Sequence, residues 1–219
     1  MNPIVRRIVT ALMTATAVVL AVLFAPETVI VVALAVLMGL VGIEYLLLLN
    51  RKVPVSSPKG GLIFLVSLPV LALPFVALAY ADHFHGNLMM LYLIAIVKIS
   101  DMGGFAFGMS SAKLMKGRNH KLCPTISPNK SWEGLFGSVF ASCVLSCAFI
   151  PVTHFGAGRA LAFGVTAALV GTFGDLVESK FKRWVGVKDS ATFMPAGLGG
   201  FLDMFDSLLF APAVLLPFV

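Results

Sequence analysis

The sequence predicts an all-α fold, a polytopic bundle of membrane helices, and three observations carry that reading. Hydrophobic residues make up 59% of the 219 residues, and charged residues only 12%, about half the charged share of an ordinary soluble domain. The mean hydropathy is +0.99. The apolar residues fall in runs of roughly 20, the length a helix needs to cross a hydrocarbon core. So few charges cannot cover a soluble surface. The net charge of +6 is therefore read by where it lies along the chain, and it is not taken as a sign of nucleic-acid binding.

About seven spans are expected. Ile8–Ala25 follows Arg6 and Arg7, as the apolar core of a secretory signal would. No small-residue cleavage site precedes a soluble region and more spans follow, so a retained first helix is expected. Thr28–Leu49 starts after Pro26, and Gly61–Ala81 after Pro54 and Pro58, positions where a helix stops at little cost. Leu88–Met109 is the fourth span, Leu135–Val152 the fifth, with Pro151 at its end, and Ala160–Glu178 the sixth. Phe201–Val219 is the seventh. Pro69, Pro74 and Pro212 lie inside spans, where kinks are expected. The whole chain, 1–219, is expected to form one integral membrane domain, with 1–81 as N-terminal helices and 88–219 as catalytic helices and cytoplasmic loops. Cys123, Cys143 and Cys147 have no metal-ligand spacing and are expected to be small packing residues.

Lys and Arg are distributed unevenly between the spans. Arg6 and Arg7 precede the first. Arg51, Lys52 and Lys59 join the second to the third. Lys113, Lys116, Arg118, Lys121 and Lys130 join the fourth to the fifth, and Lys180, Lys182, Arg183 and Lys188 the sixth to the seventh. The opposite connections hold only Arg159, and Lys98 lies within a span. Cytoplasmic loops are the ones enriched in Lys and Arg. The N-terminus and the basic loops are thus expected in the cytoplasm, and the C-terminus outside. His83, His85 and His154 fall on the opposite side and are expected to be exposed turn histidines without partners.

Acidic residues occupy apolar segments. Glu44, Asp101, Asp175, Glu178, Asp203 and Asp206 lie in or at the edges of spans, where a charge costs ~3 kcal/mol on insertion scales. All but Glu44 are expected at one depth, beside the two richest basic loops. Asp175, Glu178 and Ser179 share a helical face, as do Asp203 and Asp206. Such carboxylates are protonated, bind metal, or pair with Lys and Arg; a purely structural ion-pair network stays open. Glu44, alone near Tyr45, reads equally as a structural hydrogen-bonding residue or a functional one.

The connection "SSAKLMKGRNHKLCPTISPNKSWEG" mixes cations with hydroxyls and leads straight into a helix, a setting suited to phosphate. Attraction to anionic lipid accounts for the charge alone equally well. Carboxylates beside phosphate-type loops suit magnesium held by one or two carboxylates and substrate phosphates. His120 has no evident base partner, and the chain has no P-loop or dinucleotide fingerprint. A substrate phosphate is therefore the expected nucleophile, with the protein positioning and neutralising charge.

The stretch "SKFKRWVGVKDSATFMPAGLGGFLDMFDSLLF" resembles the signature of the phosphatidate cytidylyltransferases, or CDP-diacylglycerol synthases. Ser179, Lys182, Arg183, Lys188, Asp189, Pro195, Gly199, Gly200, Asp203 and Asp206 match it. Upstream, Asp101, Gly103, Gly108, Ser127, Pro128, Lys130, Ser131, Glu133 and Gly134 resemble the family's second motif. The likeness covers roughly the last 120 residues. Leu198 and Met204 stand where the family has His and Arg.

The resemblance implies that CTP and phosphatidic acid are converted to CDP-diacylglycerol and pyrophosphate by a membrane enzyme with a cytoplasm-facing site. It implies Mg2+ and, as a second ion, a monovalent cation such as K+; a homodimer is implied by the resemblance alone. On the same ground Asp175, Asp203, Asp206, Lys182 and Lys188 are the expected catalytic residues. Asp175 and Asp203 would bind magnesium, with Asp206 and Asp101 supporting the metal site. Ser127, Lys130, Ser179, Arg183, Asp189 and Glu133 would contact substrate. The competing expectations are a CTP-dependent lipid kinase of the polyprenol or phytol type and an ion-coupled transporter using Lys98, Asp101 and Asp175. The motif of the CDP-alcohol phosphotransferases is absent.

Overall fold

The computed structural model describes residues 16–187, 190 and 200–218. Lys188 and Asp189, both expected site residues, lie outside the described residues. Helix α1 covers 16–24, followed by α2 (Glu27–Lys52), α3 (Pro58–His85) and α4 (Asn87–Leu114). A hairpin of β1 (Lys121–Cys123) and β2 (Ser127–Ser131) leads into α5 (Trp132–Ala148) and the single turn α6 (Ile150–Thr153). Then come α7 (Ala157–Val185), α8 (Phe201–Phe205), α9 (Ala211–Leu215) and a 3-10 turn, Leu216–Phe218. Four helices, α2, α3, α4 and α7, are long and apolar enough to cross a membrane, and α5 is a shorter apolar helix.

The bundle is helix-rich, as expected, but several boundaries differ from the sequence reading. The expected fifth span is split at Phe149, one residue before the α6 turn that carries Pro151. The expected sixth span runs on to Val185, so Lys180, Lys182 and Arg183 are helical rather than in a loop. Lys and Arg are good helix formers, and the helix ends only where Gly186 adopts φ 82. The seventh span is not one helix. Lys98 Nζ donates to the Met204 carbonyl at 2.8 Å and to Ser207 Oγ at 3.1 Å. The Asp206 carboxylate accepts from the Ser207 N–H at 2.6 Å. These side chains replace helical partners and favour the break between α8 and α9. The basic connection, expected to be irregular, contains the antiparallel hairpin.

Caps and close packing position the site. Ser57 accepts from Gly60 N–H at 3.1 Å, with Pro58 opening α3; the helix then runs through Pro69 and Pro74. Ser131 Oγ accepts from Gly134 N–H at 3.1 Å and caps α5. Helices α4 and α5 pack backbone to backbone. A Cβ at Gly103 would lie 2.6 Å from the Gly137 carbonyl oxygen, a spacing only small residues allow. The core joins Leu48, Leu49, Leu78, Leu93, Ile96 and Leu215. Large apolar side chains also face outward, among them Val66 (66% exposed) and Phe105 (70%).

Candidate active site

The hairpin's return strand brings Lys130 against α7. Its Nζ lies 2.5 Å from Asp175 Oδ2, while Asp175 Oδ1 is buried without a hydrogen-bond partner among the described residues. Asp175 repels both Asp101 on α4 and Asp206 after α8. Lys98 Nζ, 3.8 Å from Asp101 Oδ2, supplies countercharge. A cavity of about 310 Å3 opens beside them, lined by Asp101, Ser127, Lys130, Ser131 and Asp175. Of the five carboxylates expected at one depth, Asp101, Asp175, Glu178, Asp203 and Asp206, the first two line this cavity together with Lys130 and Ser127.

Asp203 belongs to a second group. Lys182 Nζ sits 2.7 Å from Glu178 Oε2 and 2.5 Å from Asp203 Oδ1. Asp203 Oδ2 also accepts from the N–H groups of Gly200 at 2.9 Å and Ser190 at 3.1 Å. Lys182 is thereby held between two carboxylates, rather than turned to the cavity that Lys130 borders. Lys182 and Asp175 lie seven residues apart on α7, about 10 Å along its axis. Arg183 is exposed and reaches the Val187 carbonyl at 3.4 Å. Ser179 is half-buried on α7.

Glu133 locks the base of the hairpin. Its Oε1 accepts from His120 Nδ1 at 2.8 Å and from the His120 N–H at 3.1 Å. These hydrogen bonds, the side-chain one foremost, hold the Glu133 carboxyl down at about 2. His120, expected to lack a partner, therefore has one, and Glu133 braces the loop that carries Lys130. His83, also expected to be unpartnered, meets Glu27 Oε1 at 2.5 Å.

Sequence reasoning underweighted Glu44, Lys98 and Glu178. The Glu178–Lys182 spacing of four was a readable signal. Glu44 is wholly buried, and its Oε2 accepts from Leu202 N–H at 2.7 Å. No local pattern announces a partner that far along the chain.

The donor chemistry suits a hard cation. Carboxylate oxygens are what Mg2+ prefers, and Asp175 Oδ1 is a buried acceptor awaiting a donor or a cation. Among the described residues, no three His, Cys, Asp or Glu groups are drawn into a ready-made cage.

Comparison with known proteins adds the family. The chain is 42% identical over 133 residues to a protein named phosphatidate cytidylyltransferase from Staphylococcus aureus (strain COL). It is 41% identical over 133 residues to one of the same name from Staphylococcus haemolyticus (strain JCSC1435). Each match covers 60% of this chain and 48% of the relative, so the chain spans about half the length of the curated relatives it matches. The family model described as "Cytidylyltransferase family" matches residues 8–219, and the chain belongs to that family.

Proposed function

We propose that the protein transfers a cytidylyl group from CTP to phosphatidic acid, giving CDP-diacylglycerol and pyrophosphate at the cytoplasmic face of a membrane. The observation that carries this reading is the cavity where Lys130 and Ser127 of the hairpin face Asp101 and Asp175 of α4 and α7. It joins phosphate-binding groups with metal-type oxygen donors in a bundle long enough to meet a lipid. The printed name of the staphylococcal relatives supports the substrates.

In the reaction, an oxygen of the phosphatidate phosphate attacks the α-phosphorus of CTP. The bond from that phosphorus to the oxygen bridging to the β-phosphate breaks, and pyrophosphate leaves. Lys130 and the Ser127 hydroxyl bind phosphate oxygens. Asp175 would hold Mg2+, with Asp101 and Asp206 in support, and that ion would neutralise charge on the triphosphate. Lys182 fixes the carboxylate of Asp203. The basic loops argue for the cytoplasmic side, where CTP enters from water and the lipid from the bilayer.

The test uses purified protein in detergent micelles with phosphatidic acid, Mg2+ and CTP labelled either in the base or at the γ-phosphate. Base label in the lipid product together with pyrophosphate release is expected. γ-Label in lipid would instead identify a kinase, and no transfer of either label would discard the reading.

A further inference from the structure

We infer that Glu44, on the second helix, is a positioning residue for the turn that carries Asp203 and Asp206. The turn is gripped from two sides. On one side, Glu44 Oε2 accepts from Leu202 N–H at 2.7 Å. Glu44 Oε1 lies so close to Gly200 that a Cβ there would collide with it and with Ser190 Oγ. On the other side, Asp203 Oδ2 accepts from the N–H groups of Gly200 and Ser190. Gly200 is thus clamped between an acidic side chain 156 positions earlier and the Asp203 side chain three residues later.

The placement of a carboxylate at Glu44 needs a reason. It is wholly buried on a helix with an otherwise apolar middle, where an acidic group is costly. An apolar residue would pack there at lower cost. It would not satisfy the Leu202 N–H, which lies ahead of the first intrahelical bonds of α8. The carboxylate therefore ties the N-terminal helices to the turn. That tie fixes the turn from which Asp203 reaches Lys182 and at whose end Asp206 stands. The oxygen acceptor performs this task, so glutamine should serve where alanine fails.

The test pairs hydrogen–deuterium exchange with kinetics on the full chain, comparing Glu44→Ala, Glu44→Gln and Gly200→Ala. The kinetic arm rests on the cytidylyltransferase reading; the exchange arm does not. Glu44→Ala should raise amide exchange in residues 200–206 about tenfold or more, with α4 and α7 protected as before. Its kcat should fall about 100-fold, the scale of an ångström-sized misplacement of a catalytic group, with KM for CTP little changed. Glu44→Gln should restore both. Gly200→Ala, which pushes a methyl into the same contact, should reproduce the Glu44→Ala pattern and stands in if that variant does not fold. Unchanged exchange at 200–206, equal loosening of every helix, or no rescue by glutamine would each overturn the inference. If the wild type transfers no cytidylyl group, the functional reading falls while the exchange arm still decides the role of Glu44.

Discussion

Lys182 stands between Glu178 and Asp203, with only 12% of its side chain exposed. Removing one partner from a buried ionic group costs far more than the group contributes net, because charges are left uncompensated. Lys182→Met should therefore lower stability by about 3–5 kcal/mol, read as thermal unfolding in detergent. Adding Glu178→Gln to it should recover part of the loss; a further loss would refute the triad. Asp203→Asn presents the opposite case. Its remaining oxygen still accepts from Gly200 or Ser190, so the turn stays folded, but the carboxylate charge is gone. Turnover should fall at least about 100-fold with unfolding little altered. Full activity would remove Asp203 from the site.

At the scale of elements, two devices hold Lys130 in place. The first is the α4–α5 contact. Gly103→Ala sets a methyl 2.6 Å from a backbone carbonyl, so the helices must part. A loss of about 1–3 kcal/mol is expected, as for overpacking elsewhere. Gly39→Ala meets nothing within 4 Å and should be neutral or slightly stabilising through helix propensity. The second device is the His120–Glu133 lock under the hairpin. Because folding depresses the Glu133 carboxyl from 4.5 to about 2, its contribution is fully present above the unfolded value and fades as pH falls from 4.5 towards 2. With Trp184 replaced by Phe, Trp132 emission should therefore show a transition as pH falls from about 4.5 towards 2. Glu133→Gln should show the low-pH spectrum at neutrality.

These elements also show where the sequence was readable. Asp101, Asp175 and Lys130 stood out because charge in or beside apolar helices needs a partner. The hairpin was hidden because its strands are short and polar. The break in the last span was hidden because hydropathy records apolar content and not the competing bonds from Lys98 and Asp206. The Glu44–Leu202 contact was hidden because only tertiary packing brings those residues together.

For the whole molecule, the decisive variable is orientation. Helices α2, α3, α4 and α7 show wide apolar surfaces to the outside, which water would not tolerate at this extent. The candidate cavity and the basic connection, with Lys113, Lys116, Arg118, Lys121 and Lys130, lie at the end where α4 closes and α5 opens. The turn around His85 lies at the other end of α4. If charge sets orientation, these two ends face opposite compartments. With Cys123, Cys143 and Cys147 replaced by serine, a single cysteine at Thr125 should react with a membrane-impermeant maleimide only in inside-out vesicles. One at His85 should react only in right-side-out vesicles. The reverse pattern would put the cavity on the side without CTP and remove the proposed reaction even if the site chemistry were correct. Reaction at both positions from one side would mean that α4 does not cross the bilayer, and the lipid would then have to reach Lys130 and Asp175 by a route other than lateral entry between helices.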